Sequence, residues 1–310
     1  MSEAPVVVLT GYRFVDIDDP FALREELETE ARALDLCGTI LLAREGINAS
    51  LAGTRGALDQ FWQQLTVRPL FVGMTCRRSV AAPGSTVFRR LKVLVKDEIV
   101  ALRQPGVRPA ARTGEAVDWV RWHALLDDPD VLVIDTRNGY EIGVGSFPGA
   151  VDPGTRSFRQ WPDWVREHLE PARHRRVAMF CTGGIRCEKA SAWLLEQGFD
   201  NVYQLEGGVL GYLSQVPAGE NRFSGECYVF DARVALDPAL APGTTVQCDA
   251  CGRPLLPEAQ LHPAYEAGIA CPQCVDEKTE ERRAGFVERV RQARLAAARI
   301  VVGESGMDGA

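Results

Sequence analysis

Residues Arg176 to Phe180 form an apolar run that stops at Cys181, followed by Thr182, Gly183, Gly184, Ile185, Arg186 and Cys187. No other stretch narrows the possible architecture so far. A buried strand, a Gly-containing turn and a helix in direct succession belong to an open α/β sheet, whose ligands gather at the carboxyl ends of parallel strands. Cys181 would stand at such an end. Loop amides and a helix N-terminus would face its sulfur, and both favour negative charge, so the thiol should ionise more readily than a free one. Gly183 and Gly184 let the backbone wrap around an anion, and Arg186 adds a fixed positive charge. Cys187 has two open readings. It is a second thiol that resolves an oxidised or persulfidated Cys181 as a disulfide, or it packs under the loop.

The chain has 310 residues, which predicts two or three domains. The first hundred read as a small α/β unit. Strands are expected at Val6–Leu9, Gly38–Ala43 and Ile47–Leu51, with further extended segments at Phe71–Ser79 and Phe88–Val95. Helices are expected at Phe21–Leu34 and Thr54–Leu65, Thr54 acting as N-cap. The order βαββαβ suggests a ferredoxin-like sandwich. Pro105, Gly106, Pro109 and Gly114 mark a linker. Strands at Val131–Ile134, Arg176–Phe180 and Val202–Leu205 then alternate with helices at Trp161–Leu169 and Glu188–Gln197, as in a mostly parallel sheet. A charged helix is expected from Asp276 to Val302, and the tail 303–310 should be disordered.

Nine cysteines in a long chain whose first residues lack a basic, then apolar, leader favour thiol chemistry or metal binding over a disulfide framework. No apolar run is long enough for a membrane span, so a cytoplasmic location is expected. Cys248 and Cys251, then Cys271 and Cys274, form two CxxC pairs. Each pair can offer two thiolates to one ion, a zinc-ribbon-like pattern. Four protein ligands would leave no open position, so the zinc would be structural, supplying folding energy to a region with little core.

The Cys-x4-Arg loop resembles the active-site loop of the rhodanese family, where a cysteine takes up sulfane sulfur. Related phosphatases use a loop one residue longer. Asp135-Thr136-Arg137, Glu141, Phe147-Pro148-Gly149-Ala150 and Leu205-Glu206-Gly207-Gly208 resemble other parts of that domain, although Asp135, Arg137 and Glu141 also read as a structural ion-pair network. More widely, Glu45-Gly46-Ile47-Asn48, the loop extended by Glu188-Lys189, and Gly225-Glu226-Cys227-Tyr228-Val229-Phe230-Asp231 resemble the rhodanese-containing tRNA uridine hydroxylase family. The resemblance covers roughly residues 5 to 275.

It implies an α/β chain with a ferredoxin-like α+β domain at 1–100, a linker at 101–117, a rhodanese-like parallel-sheet domain at 118–220, and a Cys-rich, zinc-ribbon-like region with a terminal helix at 221–310. The implied activity is oxygen-dependent hydroxylation of wobble uridine in tRNA to 5-hydroxyuridine. Cys181 would be the catalytic cysteine, carrying a persulfide, within the loop Thr182, Gly183, Gly184, Ile185 and Arg186. Molecular oxygen is the implied co-substrate. A sulfurtransferase acting on a small or carrier acceptor is the alternative. Spacing shows no flavin or haem motif and no two-His-one-carboxylate iron site, and His123, His168, His174 and His262 are dispersed.

A net charge of −7 disfavours non-specific nucleic-acid binding but leaves room for local patches. Arg77, Arg78, Arg89, Arg90 and Lys92 are candidate contacts to the tRNA anticodon region, with Lys96 beside them. Arg282, Arg283, Arg289, Arg291, Arg294 and Arg299 give the terminal helix a basic character. Tyr140, Phe158, Trp161 and Trp164 are candidates for base stacking. Each of these groups also has a plain reading, the charges as solvated faces and the aromatics as core.

Overall fold

Helix ends in this chain are set by local chemistry. The computed structural model describes residues 6–82 and 84–304; the leader reading at 1–5 and the tail from 305 lie outside them. Val6–Phe14 (β1) leads to Pro20–Ala33 (α1), where the Asp19 carboxylate accepts from the Phe21 and Ala22 amides at 3.0 Å and Pro20 opens the first turn. Cys37–Ala43 (β2), Gly46–Gly53 (β3), Arg55–Thr66 (α2, capped by Thr54), Arg77–Ala81 (β4) and Leu91–Val95 (β5) follow. The sheet order is β4-β1-β3-β2-β5, with β5 parallel to β2 and the other pairs antiparallel. This is the expected ferredoxin-like arrangement with one added edge strand. Leu9, Leu27, Ile40, Leu51 and Phe61 are fully buried in its core.

The second sheet is built from Glu115–Val117 (β6), Leu132–Asp135 (β7), Arg176–Phe180 and Asn201–Leu205. Between them lie Trp119–Leu126 (α3), Gly139–Ile142 (α4), Gly145–Ser146 (β8) and Trp161–His168 (α5). With Arg176–Phe180 as β9 and Asn201–Leu205 as β10, the order is β6-β10-β9-β7, all parallel. Strand alternation sends Val177 and Met179 into one cluster with α5 and Ile185–Glu196 (α6). Ala178 and Phe180 go into another, with α3 and Gly208–Gln215 (α7).

Several expectations change. The last three linker residues are strand β6, too short to show alternation. α3 and α7 were unread, α7 because Gly208 and Gly211 lower helix propensity. α6 begins at Ile185, three residues early, because Gly184 takes φ +99° and turns the chain directly into it. Residues 221–243, read as part of the Cys-rich region, instead join the first unit. There Ser224–Gly225 (β11) pairs with β8, and Cys227–Tyr228 (β12) pairs with Ala235–Leu236 (β13).

The second unit starts at Thr244. It contains a short ladder of Val246–Gln247 (β14) and Pro254–Leu255 (β15), a turn of helix at Pro257–Gln260 (α8), and the long helix Glu280–Glu304 (α9). Helix α9 starts four residues later than expected and continues past Gly303. Among the described residues, no helix is long and apolar enough to cross a membrane.

Candidate active site

Cys181 leaves the end of β9 with no exposed surface. The Gly184 amide donates to its sulfur at 3.1 Å. The amides of Arg186 and Cys187 and the Cys187 thiol act in the same direction. Burial opposes ionisation, yet the Cys187 hydrogen bond, the Arg186 charge and the loop amides together bring the thiol down to about 5. Cys187 moves the other way. Burial and the anion beside it hold its thiol well above the usual range, so it stays protonated and donates. Its sulfur also lies 3.6 Å from the Thr136 hydroxyl.

The first turn of α7 closes the loop from behind. The Val209 and Leu210 amides donate to the Cys181 and Thr182 carbonyls at 2.8 and 3.0 Å. This leaves the loop's N–H groups free to face the sulfur. Gly184 is required at its position, since a Cβ there would lie 2.7 Å from the Tyr12 hydroxyl as well as taking φ +99°.

Arg186 does not stand as a free charge. Its guanidinium makes a bidentate pair with Glu141, both bonds 2.7 Å, and both side chains are buried. Burial alone would raise Glu141, but Arg186 keeps it below the usual carboxylate range. Asp135 and Arg137 form a second buried pair, at 2.9 and 2.6 Å, supported by Ser146 and the Gly145 carbonyl. The structural-network reading of Asp135, Arg137 and Glu141 therefore holds, and Arg186 belongs to it. Cys227 is buried nearby, and burial pushes its thiol up to about 12.

The Glu188-Lys189 extension explains the N-terminal Glu45 motif. Glu188 accepts from the Tyr12 hydroxyl at 2.7 Å. Lys189, 1% exposed, donates to both Glu45 oxygens at 2.8 and 2.7 Å, to Glu98, and to the Val100 carbonyl at 3.0 Å. The helix that begins at the cysteine loop is thus tied to the ferredoxin-like sheet.

The loop opens on a cavity of about 850 Å³ walled by β1, β4, the loop and the segment 229–233. The expected basic run splits here. β4 and β5 are opposite edges of the sheet, so Arg77 and Arg78 line the cavity while Arg89, Arg90 and Lys92 do not. Arg78 is paired with Asp59 at 2.7 Å. Arg77 has no carboxylate partner among the described residues. Its guanidinium rests on the turn after β10, where a Cβ on Gly207 would come within 1.4 Å of it.

Of the stacking candidates, Trp161 and Phe158 are core and Trp164 stacks on His168. Tyr140 packs edge-on against Tyr228. The exposed aromatic at the cavity is Phe230, 62% exposed and 5.9 Å from the Arg186 guanidinium. Phe230 belongs to the Gly225–Asp231 stretch, far from the loop in sequence, and only the fold brings it to the cavity. His123 bonds the Tyr212 hydroxyl at 2.9 Å inside the core.

In the second unit the four Sγ atoms of Cys248, Cys251, Cys271 and Cys274 lie within 4.8 Å of one another. Two of the separations are 3.8 and 3.6 Å. A tetrahedral thiolate site with bonds of about 2.3 Å has edges of about 3.8 Å, so the donors fit a metal ion. The β14–β15 ladder supports this by closing the first CxxC turn, with the Cys248 amide donating to Arg253 at 2.9 Å.

A cysteine cradled by amides at the end of a central parallel strand, before a helix, defines a rhodanese-type domain. Comparison with known proteins agrees: residues 120–215 match the rhodanese-like domain family, and residues 6–99 match the UPF0176 acylphosphatase-like domain. The chain is 46% identical over 286 residues to the tRNA uridine(34) hydroxylase of Picosynechococcus sp., covering 92% of this chain and 95% of that one. It belongs to the tRNA uridine(34) hydroxylase family. Among solved structures, the rhodanese-like domain of an Anabaena sp. protein shares 20% identity (TM-score 0.30) over 36% of this chain and 78% of its own. A Rhodopseudomonas palustris protein of unknown function, described as a possible tyrosine phosphatase, shares 23% (TM-score 0.28) over 34% and 83%.

Proposed function

We propose that this chain hydroxylates uridine 34 of tRNA, the wobble position, at C5, with Cys181 as its catalytic residue. One atom of molecular oxygen replaces the C5 hydrogen as hydroxyl. The other leaves as water, with two electrons from an external reductant. The observation that carries this reading is a buried cysteine whose sulfur accepts from the Gly184 amide at 3.1 Å, beside a cavity large enough for a nucleotide, in a chain of this family.

The thiolate is the nucleophilic form, and it takes up sulfane sulfur as a persulfide within the loop from Thr182 to Arg186. The loop amides stabilise the negative charge before and after sulfur uptake. Phe230 offers a face for the extruded base, and Arg77 meets a flanking phosphate of the anticodon. Tyr12 and Glu188 hold the loop's far side. The four cysteines of the second unit hold structural zinc, which orders that unit and takes no part in the reaction. The enzyme works in the cytoplasm, where its substrate is.

The test is nucleoside mass spectrometry of tRNA treated with the purified chain and its Cys181→Ala variant, with and without oxygen. 5-Hydroxyuridine should form only with the unaltered chain and oxygen. Equal product from the variant would refute the role of Cys181. Thiocyanate formation from thiosulfate and cyanide, with no tRNA product, would point to a sulfurtransferase.

A further inference from the structure

The second unit carries cations of two kinds. Some are neutralised: Arg283 pairs with Glu266, Arg291 with Glu288 at 3.3 Å, and Arg253, between β14 and β15, with Glu277 at 2.8 Å. Others are not. Lys278, Arg282 and Arg289 have no carboxylate partner among the described residues.

Those three converge. Positions 282, 285, 286 and 289 fall on one stripe of α9, and Lys278 precedes it by one turn. Together with Ala250 they line a shallow concavity of about 470 Å³ in which no carboxylate takes part. The cations are held in place by neutral groups. Phe286, 9% exposed, lies 4.7 Å from the Lys278 ammonium and 4.4 Å from the Arg289 guanidinium. The Lys278 ammonium also donates to the Ala250 carbonyl at 2.7 Å, between the ligand candidates Cys248 and Cys251. Gly285 leaves the floor open, since a Cβ there would meet nothing within 4 Å.

A chain with net charge −7 has carboxylates to spare for surface cations. Three cations without carboxylate partners surround one concavity, two of them anchored by an aromatic ring and one of those also by a backbone carbonyl, which leaves N–H groups for an external anion. The Lys278 and Arg289 charges both lie within 4.7 Å of the one Phe286 ring and Arg282 lines the same concavity, so the three can meet the phosphate oxygens of a single backbone segment.

We propose that Lys278, Arg282 and Arg289 form a phosphate-backbone site for RNA on the second unit, separate from the Cys181 cavity. The proposal rests on the reading of tRNA as substrate. It adds that affinity for tRNA comes in part from this unit, without base specificity.

The experiment measures binding of unmodified tRNA by the full chain over a range of salt concentrations. It compares the unaltered chain with an Arg282→Gln/Arg289→Gln variant and an Arg282→Lys/Arg289→Lys variant. Both positions are exposed on the helix. The glutamine variant should bind about tenfold more weakly, with a salt slope shallower by about 2, while the lysine variant stays near the unaltered chain. In the hydroxylation assay the glutamine variant should raise KM and leave kcat unchanged. Equal affinity and slope in all three proteins overturns the site. So does a glutamine variant whose tRNA binding is intact while binding to anionic lipid vesicles is lost. Binding that follows the expected order in a chain that makes no 5-hydroxyuridine supports the site and refutes the functional reading instead.

Discussion

Replacing Cys187 by alanine isolates one donor among those that hold Cys181 ionised. The sulfur is fully buried, and burial alone would raise its pKa. Among the groups that oppose burial, the Cys187 thiol comes first. The Arg186 charge comes after it, as expected for a guanidinium already bound at 2.7 Å to Glu141. A hydrogen bond to a charged acceptor contributes about 1.5–3 kcal/mol, and one pKa unit corresponds to about 1.4 kcal/mol. Alanine at 187 should therefore raise the Cys181 midpoint by about 1–2 units from its value of about 5. The sign follows directly. The thiolate is populated above the midpoint, so the acid limb of reactivity moves up and the neutral-pH rate falls by no more than about half. Folding lowers the Cys181 pKa, so the thiolate also favours the folded chain above the free-thiol range, and this contribution fades as pH falls through about 5. Ultraviolet thiolate absorbance, read as the difference from a Cys181→Ala chain, gives the midpoint. Peptide mass spectrometry after alkylation gives the reactivity of Cys181 alone. A variant midpoint within half a unit of the unaltered chain, or an unaltered thiol titrating near the ordinary value of about 8.5, would refute the reasoning.

Two other substitutions probe the surroundings. Lys189→Met should destabilise the first unit by about 3 kcal/mol, the low end for breaking a buried pair, because Glu45 and Glu98 keep 19% and 20% of their side-chain surface exposed. Calorimetry should show a lower Tm, and an unchanged Tm would mean that the carboxylates find other partners. Gly207→Ala must adopt φ +68° and displace the Arg77 guanidinium. It should cost about 1 kcal/mol of stability and raise KM for tRNA about tenfold, as loss of one charged phosphate contact would. Arg77→Ala should reproduce the KM change without the stability loss, and an unaltered KM in both would remove Arg77 from substrate binding.

Much of this was legible in the chain itself. The apolar run before Cys181 and the glycines after it define strand, turn and helix by local rules alone, so the cradle could be read without a structure. The CxxC pairs were equally readable because metal geometry tolerates few spacings. What could not be read depends on pairing across distance. The run from Arg77 to Lys96 is continuous in sequence, but the sheet order sends its two ends to opposite edges. Arg186 looked like a free charge because its partner Glu141 is 45 residues away. The significance of Glu45 was hidden because its partner Lys189 lies 144 residues on. Strand β6 and helix α7 are short, and their stability comes from tertiary packing rather than from a periodic pattern.

The lysine that bridges the two sheets has a consequence for how this protein could have been assembled. A rhodanese half excised from the chain would leave the Lys189 ammonium without its Glu45, Glu98 and Val100 acceptors, and the ferredoxin-like half would lose the cation that gathers two of its acids. The halves are therefore poor candidates for shuffling into other proteins. Parting the halves would break that ammonium's bonds to both acids, which favours entry of substrate through the cavity mouth over separation of its walls.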